Sequence, residues 1–366
     1  MKTNIIAIFD SHEILTKDTS CFDFVKLLIT EVKTVFVSED NNNKMESDLL
    51  QVLGIKGNIQ IQYGYSIQAY LEKINKENQW VIVLTDRVIN NSKDNCIVLP
   101  YKFWKQLSDF RGISFTEHAK KKILYNELSS HYMEAIANNT KLEVEFLKNI
   151  FSKENVHNVI DCCCGVGRHD YLLGRDGYKV IGIDISEAQI QTAKKIHANK
   201  NVKYVVGDIR EFSLKNKSND AAICMWTTYN YLSQDEDLRK FFNNVAEHIH
   251  VGGLLVLDSK NIPILDSVRM YIRNRKKDRL DMELLVFKRV IDNIQNSQYF
   301  YFINENGSKK ILLDEEFVRF YYLDELLDIA SEKYELINVY GDFLGNEYDV
   351  NRSERMISVW RRKEEK

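Results

Sequence analysis

Apolar residues in the first hundred positions alternate between short continuous runs and helically spaced sets. "NIIAIFD" (4–10) and "WVIVLTD" (80–86) are apolar runs of strand length, whereas "ESDLLQVLG" (46–54) has helical spacing and ends at a glycine. Strands that alternate with helices indicate parallel pairing through crossover connections. We therefore predict a small α/β, Rossmann-like domain over residues 1–104.

A second α/β series follows a stretch that carries no strand signal. Residues 105–151 have helical periodicity and are predicted to form a helical linker, and the next series begins at "VHNVIDCCCG" (156–165). Residues 261–320 mix charge and aromatics, with strand-like runs that meet at an Asn306–Gly307 turn. We predict a second α/β domain over residues 152–366 in which 261–320 form a lid or insert.

Composition and charge narrow the function classes. Apolar residues make up 44% of the chain and charged residues 28%, as in ordinary globular proteins. The formal net charge of −3 provides no global positive field, so neither nucleic acid nor an anionic membrane is an expected partner. The apolar run near the N-terminus is too short for a signal segment, and the 6 Cys fit reduced thiols. We expect a cytoplasmic protein, for which a homodimer stays open.

The segment "VIDCCCGVGRHDYLL" (159–173) poses a choice between a metal site, a redox site and a ligand-binding turn. Zinc thiolates come as spaced pairs, and adjacent thiols on a strand or turn point in different directions. No Cys-x-x-Cys spacing supports redox chemistry, so we predict no metal and no redox site. Gly165 and Gly167, between a buried run and a helical one, are typical of a turn that lets a ligand approach the backbone.

Acidic residues at the ends of the next two strands strengthen the ligand-binding interpretation. Asp184 ends "KVIGID" about twenty residues after the turn, where an acid binds a ribose diol. Asp208 follows "NVKYVVG" and can accept a hydrogen bond from an adenine amino group. Each acid alone is as well explained as a helix cap or turn residue, but two at matching strand ends favour ligand contacts. Asp170 stands where the dinucleotide fingerprint has its third glycine.

Two more strand ends follow, in "NDAAICMWTTYNYLS" (219–233) and in "VAEHIHVGGLLVLDSKN" (245–261), which contains the double glycine Gly252–Gly253. The five strand-end motifs, in this order, resemble the class I S-adenosylmethionine (SAM)-dependent methyltransferases. "DCCCGVGRH" (161–169) is similar to the first motif of a small-molecule methyltransferase subgroup, and the tail "YGDFLGNEYDVNRSERMISVWRRK" (340–363) resembles that subgroup too. Cys163 replaces a common glycine, and Val251 replaces the proline usual before the double glycine. The resemblance implies a Rossmann-like sheet with an antiparallel final strand, and SAM as the cofactor.

The resemblance also implies which residues hold the cofactor. Asp161, Cys163, Gly165 and Gly167 would hold the methionine end of the cofactor. Asp184 and Ile185 would hold the ribose, and Asp208 and Ile209 the adenine. Trp226 and Thr227 would line the sulfonium end, and Tyr132 would cover the cofactor. His169 would lie near the methionine carboxylate, although a capping or packing histidine is an equal alternative.

Methyl transfer is an in-line displacement that mainly needs alignment and exclusion of water. This explains why the sequence contains no recognisable triad or carboxylate pair. The substrate candidates are Tyr229, Asn230, Tyr348 and Arg352, and the catalytic candidates are Tyr229, Tyr231 and His169. Core or lid packing is the alternative for each aromatic. We expect the acceptor to be an amine or hydroxyl of a small molecule or of a carrier-tethered intermediate.

The N-terminal domain has a weaker signature. Asp10 at a strand end, Thr85 and Lys102 distantly resemble haloacid-dehalogenase-like phosphatases, but His12 stands where a second Asp is expected. An accessory module for dimerisation, docking or carrier recognition is the expected role. The alternatives for the whole protein are a non-catalytic SAM-binding protein, a nicotinamide-dependent oxidoreductase and a bifunctional protein with a phosphatase-like domain.

Overall fold

The structure, a computed structural model, divides into two compact units. It describes residues 5–11, 25, 28–29, 32–39, 44–53, 59–73, 80–85, 96–99, 122–129, 139–215, 217–262, 268–277, 280–291 and 293–364. The N-terminal unit comprises Met1–Arg111, Val268–Arg289 and Ser297–Glu315. The C-terminal unit comprises Gly112–Ser267, Val290–Asn296 and Glu316–Lys366.

A parallel sheet of five strands organises the N-terminal unit. Its described elements are β1 (Ile5–Asp10), β2 (Lys33–Ser38), α1 (Met45–Leu53), β3 (Ile61–Tyr63), α2 (Ile67–Lys73), β4 (Trp80–Leu84) and β5 (Cys96–Leu99). The strand order is β3-β2-β1-β4-β5, and each neighbouring pair is parallel. All six residues of β1 are buried, as a central strand covered on both faces requires.

Four further strands, β11 (Val268–Lys277), β12 (Leu280–Ile291), β13 (Ile294–Glu305) and β14 (Ser308–Arg319), form a second sheet in that order. The predicted turn between the last two is present, with left-handed Asn306 and Gly307 at φ 54° and 84°. Leu285 and Phe300 lie in the same apolar cluster as Phe9. Most of the predicted insert 261–320 therefore belongs to the N-terminal unit, because its apolar strand faces complete that unit's core.

The C-terminal unit contains a seven-stranded sheet in the order β15-β16-β10-β9-β6-β7-β8. Its strands are β6 (Asn158–Cys162), β7 (Lys179–Asp184), β8 (Val202–Val206), β9 (Asn219–Cys224), β10 (Ile249–Lys260), β15 (Tyr334–Tyr340) and β16 (Arg355–Arg362). Five of them pair in parallel, while β16 is antiparallel to both its neighbours, which confirms the predicted α/β class and reversed strand.

Helices cover this sheet, and apolar clusters fill the space on each face. The described helices are α3 (Thr140–Phe151), α4 (Arg168–Arg175), α5 (Glu187–Ile196), α6 (Asp235–His248) and α7 (Leu323–Ala330). In the described part of the chain, none of the helices is long and apolar enough to cross a membrane. The strand order reverses between β6 and β9, so the crevice at their carboxyl ends is the expected ligand site of such a sheet.

Candidate functional site

The chain leaves β6 through a tight glycine turn at this crevice. The backbone N–H groups of Cys163 and Cys164 donate to the carbonyl of Ile183 at the end of β7, at 2.8 and 2.9 Å. Gly165 and Gly167 have φ of 56° and 75°, in the left-handed region that favours glycine. A Cβ at Gly167 would lie 2.2 Å from the hydroxyl of Tyr204, so only glycine fits between the turn and that ring.

Asp184 ties the end of β7 to this turn. Its Oδ2 accepts the N–H of Gly165 and its Oδ1 accepts the N–H of Ser186, both at 2.9 Å. Burial raises the pKa of Asp184 to about 6, while these two N–H groups oppose the rise. A carboxylate has about four acceptor positions, so the side chain retains capacity for the two hydroxyls of a ribose. The half-buried Ile185 follows it.

The thiols around the turn are not poised for metal binding. Burial raises the pKa values of Cys162 and Cys164, and a hydrogen bond with Cys224 together with burial raises that of Cys163. Metal ligation needs the thiolate. Over the described residues, no group of three or more His, Cys, Asp or Glu side chains could hold an ion.

Asp208 has a charged partner that the sequence analysis missed. Its two oxygens accept the Nε and Nη2 of Arg210 at 3.0 and 2.7 Å, and Nη1 of Arg210 lies 2.9 Å from Asp237. Ile209 is buried in the core cluster beside Phe212. The assignment of adenine to Asp208 and Ile209 stays a prediction, and Arg210 would share in any contact there.

Trp226 and Thr227 form an unusual backbone turn after β9. Both are left-handed, with φ of 63° and 65°, which is uncommon for residues other than glycine. The N–H of Trp226 donates to Oδ2 of Asp258 at 2.8 Å, and the N–H of Thr227 donates to the carbonyl of Asp258 at 2.8 Å. Asp258 is fully buried and forms an ion pair with Arg355. This pair holds the turn at the crevice.

A buried network centred on Glu143 of α3 also reaches Trp226. Oε2 of Glu143 accepts from Arg168 and lies 2.7 Å from His169 Nε2, and Oε1 accepts the indole N–H of Trp226 at 2.8 Å. Burial raises the pKa of Glu143, but these partners outweigh burial and hold it at about 2. His169 therefore packs in this network, and its catalytic and cofactor assignments stay predictions.

Replacement of Glu143 by glutamine is expected to lower the free energy of unfolding at pH 7 by about 1–3 kcal/mol, because a buried charge-assisted network loses its anion. The folded pKa of about 2 lies below the ordinary 4.5. The stabilisation is therefore complete above pH 4.5 and decreases as the pH falls toward 2. Urea titrations between pH 7 and pH 3 measure the free energy of unfolding of wild type and variant. The difference between the two should become smaller as the pH falls below 4.5. Glu145→Gln, at an exposed pair on the same helix, is the control; a difference independent of pH contradicts the prediction.

The structure separates the two tyrosines proposed for catalysis. Tyr229 is fully buried in the core cluster, with its ring against Tyr321 at 6.4 Å between centroids. This contact favours the packing alternative, and the catalytic and substrate assignments of Tyr229 stay predictions. The Tyr231 hydroxyl, by contrast, donates to Oε2 of Glu316 at 2.5 Å and lies 2.8 Å from the Tyr125 hydroxyl. Nζ of Lys122 lies 2.9 Å from the same Glu316 oxygen.

This tyrosine–glutamate cluster, Lys122, Tyr125, Tyr231 and Glu316, adjoins the glycine-turn side of the crevice. Ser186, beside Asp184, donates its hydroxyl to the carbonyl of Tyr125 at 2.7 Å. Tyr231 itself belongs to the 3-10 turn Thr228–Tyr231 that follows β9. The cluster therefore connects the ends of β7 and β9, on either side of β6.

The remaining substrate candidates make separate contacts and do not meet one another. Asn230 is fully buried and donates to the carbonyl of Arg319 at 2.6 Å, which is a structural contact. The Tyr348 hydroxyl donates to Oδ1 of Asn261 at 2.9 Å. The Arg352 side chain is 87% exposed, with its Nε 3.9 Å from Oδ2 of Asp349, and its substrate assignment stays a prediction. Tyr132 lies outside the described residues.

In the N-terminal unit, Asp10 ends β1 and Thr85 follows β4, and both are buried. These two strands are neighbours at the point where the order of that sheet reverses. His12 and Lys102 lie outside the described residues. The phosphatase-like alternative therefore stays a prediction.

Residues 159–253 match a sequence model of the family described as a methyltransferase domain. The matched segment begins within β6 and ends within β10. It therefore contains the glycine turn, Asp184, the turn at Trp226 and Thr227, and Tyr231.

Curated relatives match this chain over segments of about 100 to 130 residues. Over 101 residues the chain is 32% identical to the dTDP-4-amino-2,3,4,6-tetradeoxy-D-glucose N,N-dimethyltransferase of Saccharopolyspora spinosa, covering 28% of this chain and 39% of that protein. Over 130 residues it is 25% identical to the glycine N-methyltransferase of Rattus norvegicus, covering 32% of this chain and 44% of that protein. The chain thus spans about two fifths of the length of the curated relatives it matches.

Solved structures share the fold. The CcbJ methyltransferase from Streptomyces caelestis superposes with a TM-score of 0.56 at 18% identity, covering 69% of this chain and 100% of that one. A S-adenosylmethionine-dependent methyltransferase from Clostridium acetobutylicum gives a TM-score of 0.56 at 16% identity, covering 65% and 97%. At these identities the likeness concerns the fold alone.

Proposed function

We propose that this protein, whose C-terminal unit is a class I SAM-dependent methyltransferase domain, transfers a methyl group to an amine of a small molecule. The observation that carries the proposal is Asp184, which is tied to the glycine turn at the reversal point of the sheet and retains acceptor capacity for a ribose. The bound cofactor would supply a methyl carbon already activated by the positive sulfur.

The residues of the crevice fit that cofactor. Asp184 would accept from the ribose hydroxyls, and the left-handed glycines keep side chains away from the methionine end. Oδ2 of Asp161 is buried and accepts no hydrogen bond from the described residues, which suits a cationic ligand at the end of β6. Trp226, whose ring stacks with Arg168 at 4.5 Å, would wall the reacting end and exclude water.

In this proposal, Tyr231 contacts the amine that accepts the methyl group. Because its own proton is donated to Glu316, its oxygen accepts from the Tyr125 hydroxyl at 2.8 Å, and its second lone pair would accept the N–H of a neutral amine and orient the nitrogen lone pair toward the methyl carbon. Lys122 holds the Glu316 carboxylate from the other side. An amine needs no obligatory base once it is neutral, so orientation is the main requirement.

Two relatives named as sugar-amine dimethyltransferases suggest which acceptors to test first. We expect the protein to bind S-adenosylhomocysteine in calorimetry and to transfer a radiolabelled methyl group to a dTDP-linked 3-amino or 4-amino sugar. dTDP-glucose, which has hydroxyls but no amine, is the matched control. Transfer to dTDP-glucose alone would contradict an amine acceptor, and binding without transfer to any amine would favour the non-catalytic alternative.

Replacement of Tyr231 by phenylalanine is expected to lower the turnover rate on the accepted amine about 10- to 100-fold, which corresponds to one or two lost hydrogen bonds. The dissociation constant of S-adenosylhomocysteine should stay within twofold, because the hydroxyl faces the acceptor side. Tyr178→Phe, whose ring packs against Phe151 just before the start of β7 and away from the carboxyl ends of the strands, is the control. Equal rates for Tyr231→Phe and wild type would exclude this role.

Carrier-tethered substrates and a homodimer remain further hypotheses, with the N-terminal unit as the docking module. A pull-down of the full chain with an acyl or peptidyl carrier protein, and light scattering of the free protein, would test them.

A further inference from the structure

Two buried carboxyl groups lie side by side beneath the glycine turn. Asp161 belongs to β6 and is 1% exposed, while Asp170, the third residue of α4, is fully buried. Asp161 pairs with Gly182 across β6 and β7, and Oδ2 of Asp170 lies where a side chain at Gly182 would be, so the two carboxyl groups are neighbours. Oδ2 of Asp161 and both oxygens of Asp170 accept no N–H or O–H hydrogen bond from the described residues. Buried carboxylates are normally paired or hydrogen-bonded, so this arrangement needs an explanation.

The backbone fixes Asp170 in this place. A Cβ at Gly182 on β7 would lie 2.2 Å from Oδ2 of Asp170 and 2.9 Å from Sγ of Cys164. The carboxyl group therefore fills the space that a side chain at Gly182 would take.

The cations nearest the pair are bonded to a third carboxylate. Arg168 and His169, which precede Asp170 on α4, bond to Glu143. Their positive charges lower the pKa of Asp161, but burial outweighs them, and no cation among the described residues acts on Asp170. The other titratable groups around the pair are acids, thiols and a phenol: Asp184, Cys162, Cys163, Cys164, Tyr204 and Cys224. Two neighbouring buried carboxyl groups whose nearest cations are bonded to a third carboxylate retain a proton between them.

We propose that Asp161 and Asp170 share one proton in the ligand-free protein and that binding of the cationic methyl donor releases it to solvent, so that Asp170 helps to select the donor over its uncharged-sulfur product. This inference rests on the proposed function. S-adenosylmethionine carries a sulfonium charge that S-adenosylhomocysteine lacks, and the deprotonated pair gains one negative charge to match it. Burial raises the pKa of both groups, and the charge of Asp161 raises that of Asp170 further.

Calorimetry on the full chain in phosphate and in Tris, whose ionisation enthalpies differ, measures the protons released on binding. We expect wild type to release more protons with S-adenosylmethionine or sinefungin, whose amine replaces the sulfonium, than with S-adenosylhomocysteine between pH 6 and pH 8. Asp170→Asn should abolish this difference and reduce the preference for the donor over the product about 10-fold, while Asp176→Asn, at the exposed end of the same helix, should not. Asp184, whose pKa is about 6, contributes equally to each variant.

The outcomes separate this inference from the proposed function. If no adenosyl ligand binds to wild type, the proposed function fails. If the ligands bind but wild type and Asp170→Asn release equal numbers of protons at every pH, the shared proton is disproved. Should Asp170→Asn not fold by circular dichroism, wild type alone decides, because equal proton release with donor and product overturns the proposal.

Discussion

Replacement of Asp184 by alanine is expected to weaken binding of S-adenosylhomocysteine at least about 100-fold. The carboxylate would make two charge-assisted hydrogen bonds to the ribose, each worth about 1.5–3 kcal/mol, and about 1.4 kcal/mol corresponds to a tenfold change in affinity. Alanine also removes the acceptor for the N–H groups of Gly165 and Ser186, which loosens the turn itself. Isothermal calorimetry at pH 7.5 measures the effect directly.

The same carboxylate predicts a pH dependence. Ribose hydroxyls donate to the ionised form, and burial raises the pKa of Asp184 to about 6. Affinity in wild type should therefore weaken as the pH falls below about 6, and the residual affinity of Asp184→Ala should lack this step. Glu187→Ala, at the exposed start of α5, is the control for charge near the crevice. A change of less than threefold for Asp184→Ala would refute the assignment.

The second large effect is expected at Arg355. Substitution by methionine removes the partner of the fully buried Asp258 and leaves an uncompensated charge in the core. Breaking a buried ion pair in this way costs about 3–5 kcal/mol of unfolding free energy. Asp258 also accepts the N–H of Trp226, so the left-handed turn should lose its support.

Urea unfolding of Arg355→Met checks this expectation. Arg361→Met is the matched control on the same strand, because its pair with Glu154 is more than a third exposed and should contribute at most about 1 kcal/mol. The double variant Asp258→Asn, Arg355→Met should recover part of the loss, since no bare charge remains. Equal destabilisation by the two arginine substitutions would show that the ion pair is not what holds the turn.

The parts of this protein that could be predicted from sequence are those set by local patterning. Apolar runs, glycines and acids at strand ends identified the crevice, because parallel strands bring their carboxyl ends to one edge. The place of Asp184 at the end of β7 could be predicted in this way, since it depends on one strand and one turn, whereas its contact with a ribose stays a prediction.

The parts that sequence reasoning missed depend on contacts between distant positions. Glu143 meets Trp226 across 83 positions and Arg355 meets Asp258 across 97, and spacing along the chain carries no signal for either pairing. Tyr229 and Tyr231 share one short turn, yet one faces the core and the other Glu316.

Because Leu285, Phe287, Phe300 and Phe302 complete the apolar cluster around Phe9 and Phe36, the first unit cannot bury its interior while only its opening hundred residues exist. During synthesis, the N-terminal unit can complete its apolar core only after the ribosome has added the strands of the other unit and reached position 302. Expression of residues 1–111 alone should therefore give an aggregation-prone fragment, and a nascent chain halted before position 285 should leave its earliest strands open to chaperones and proteases.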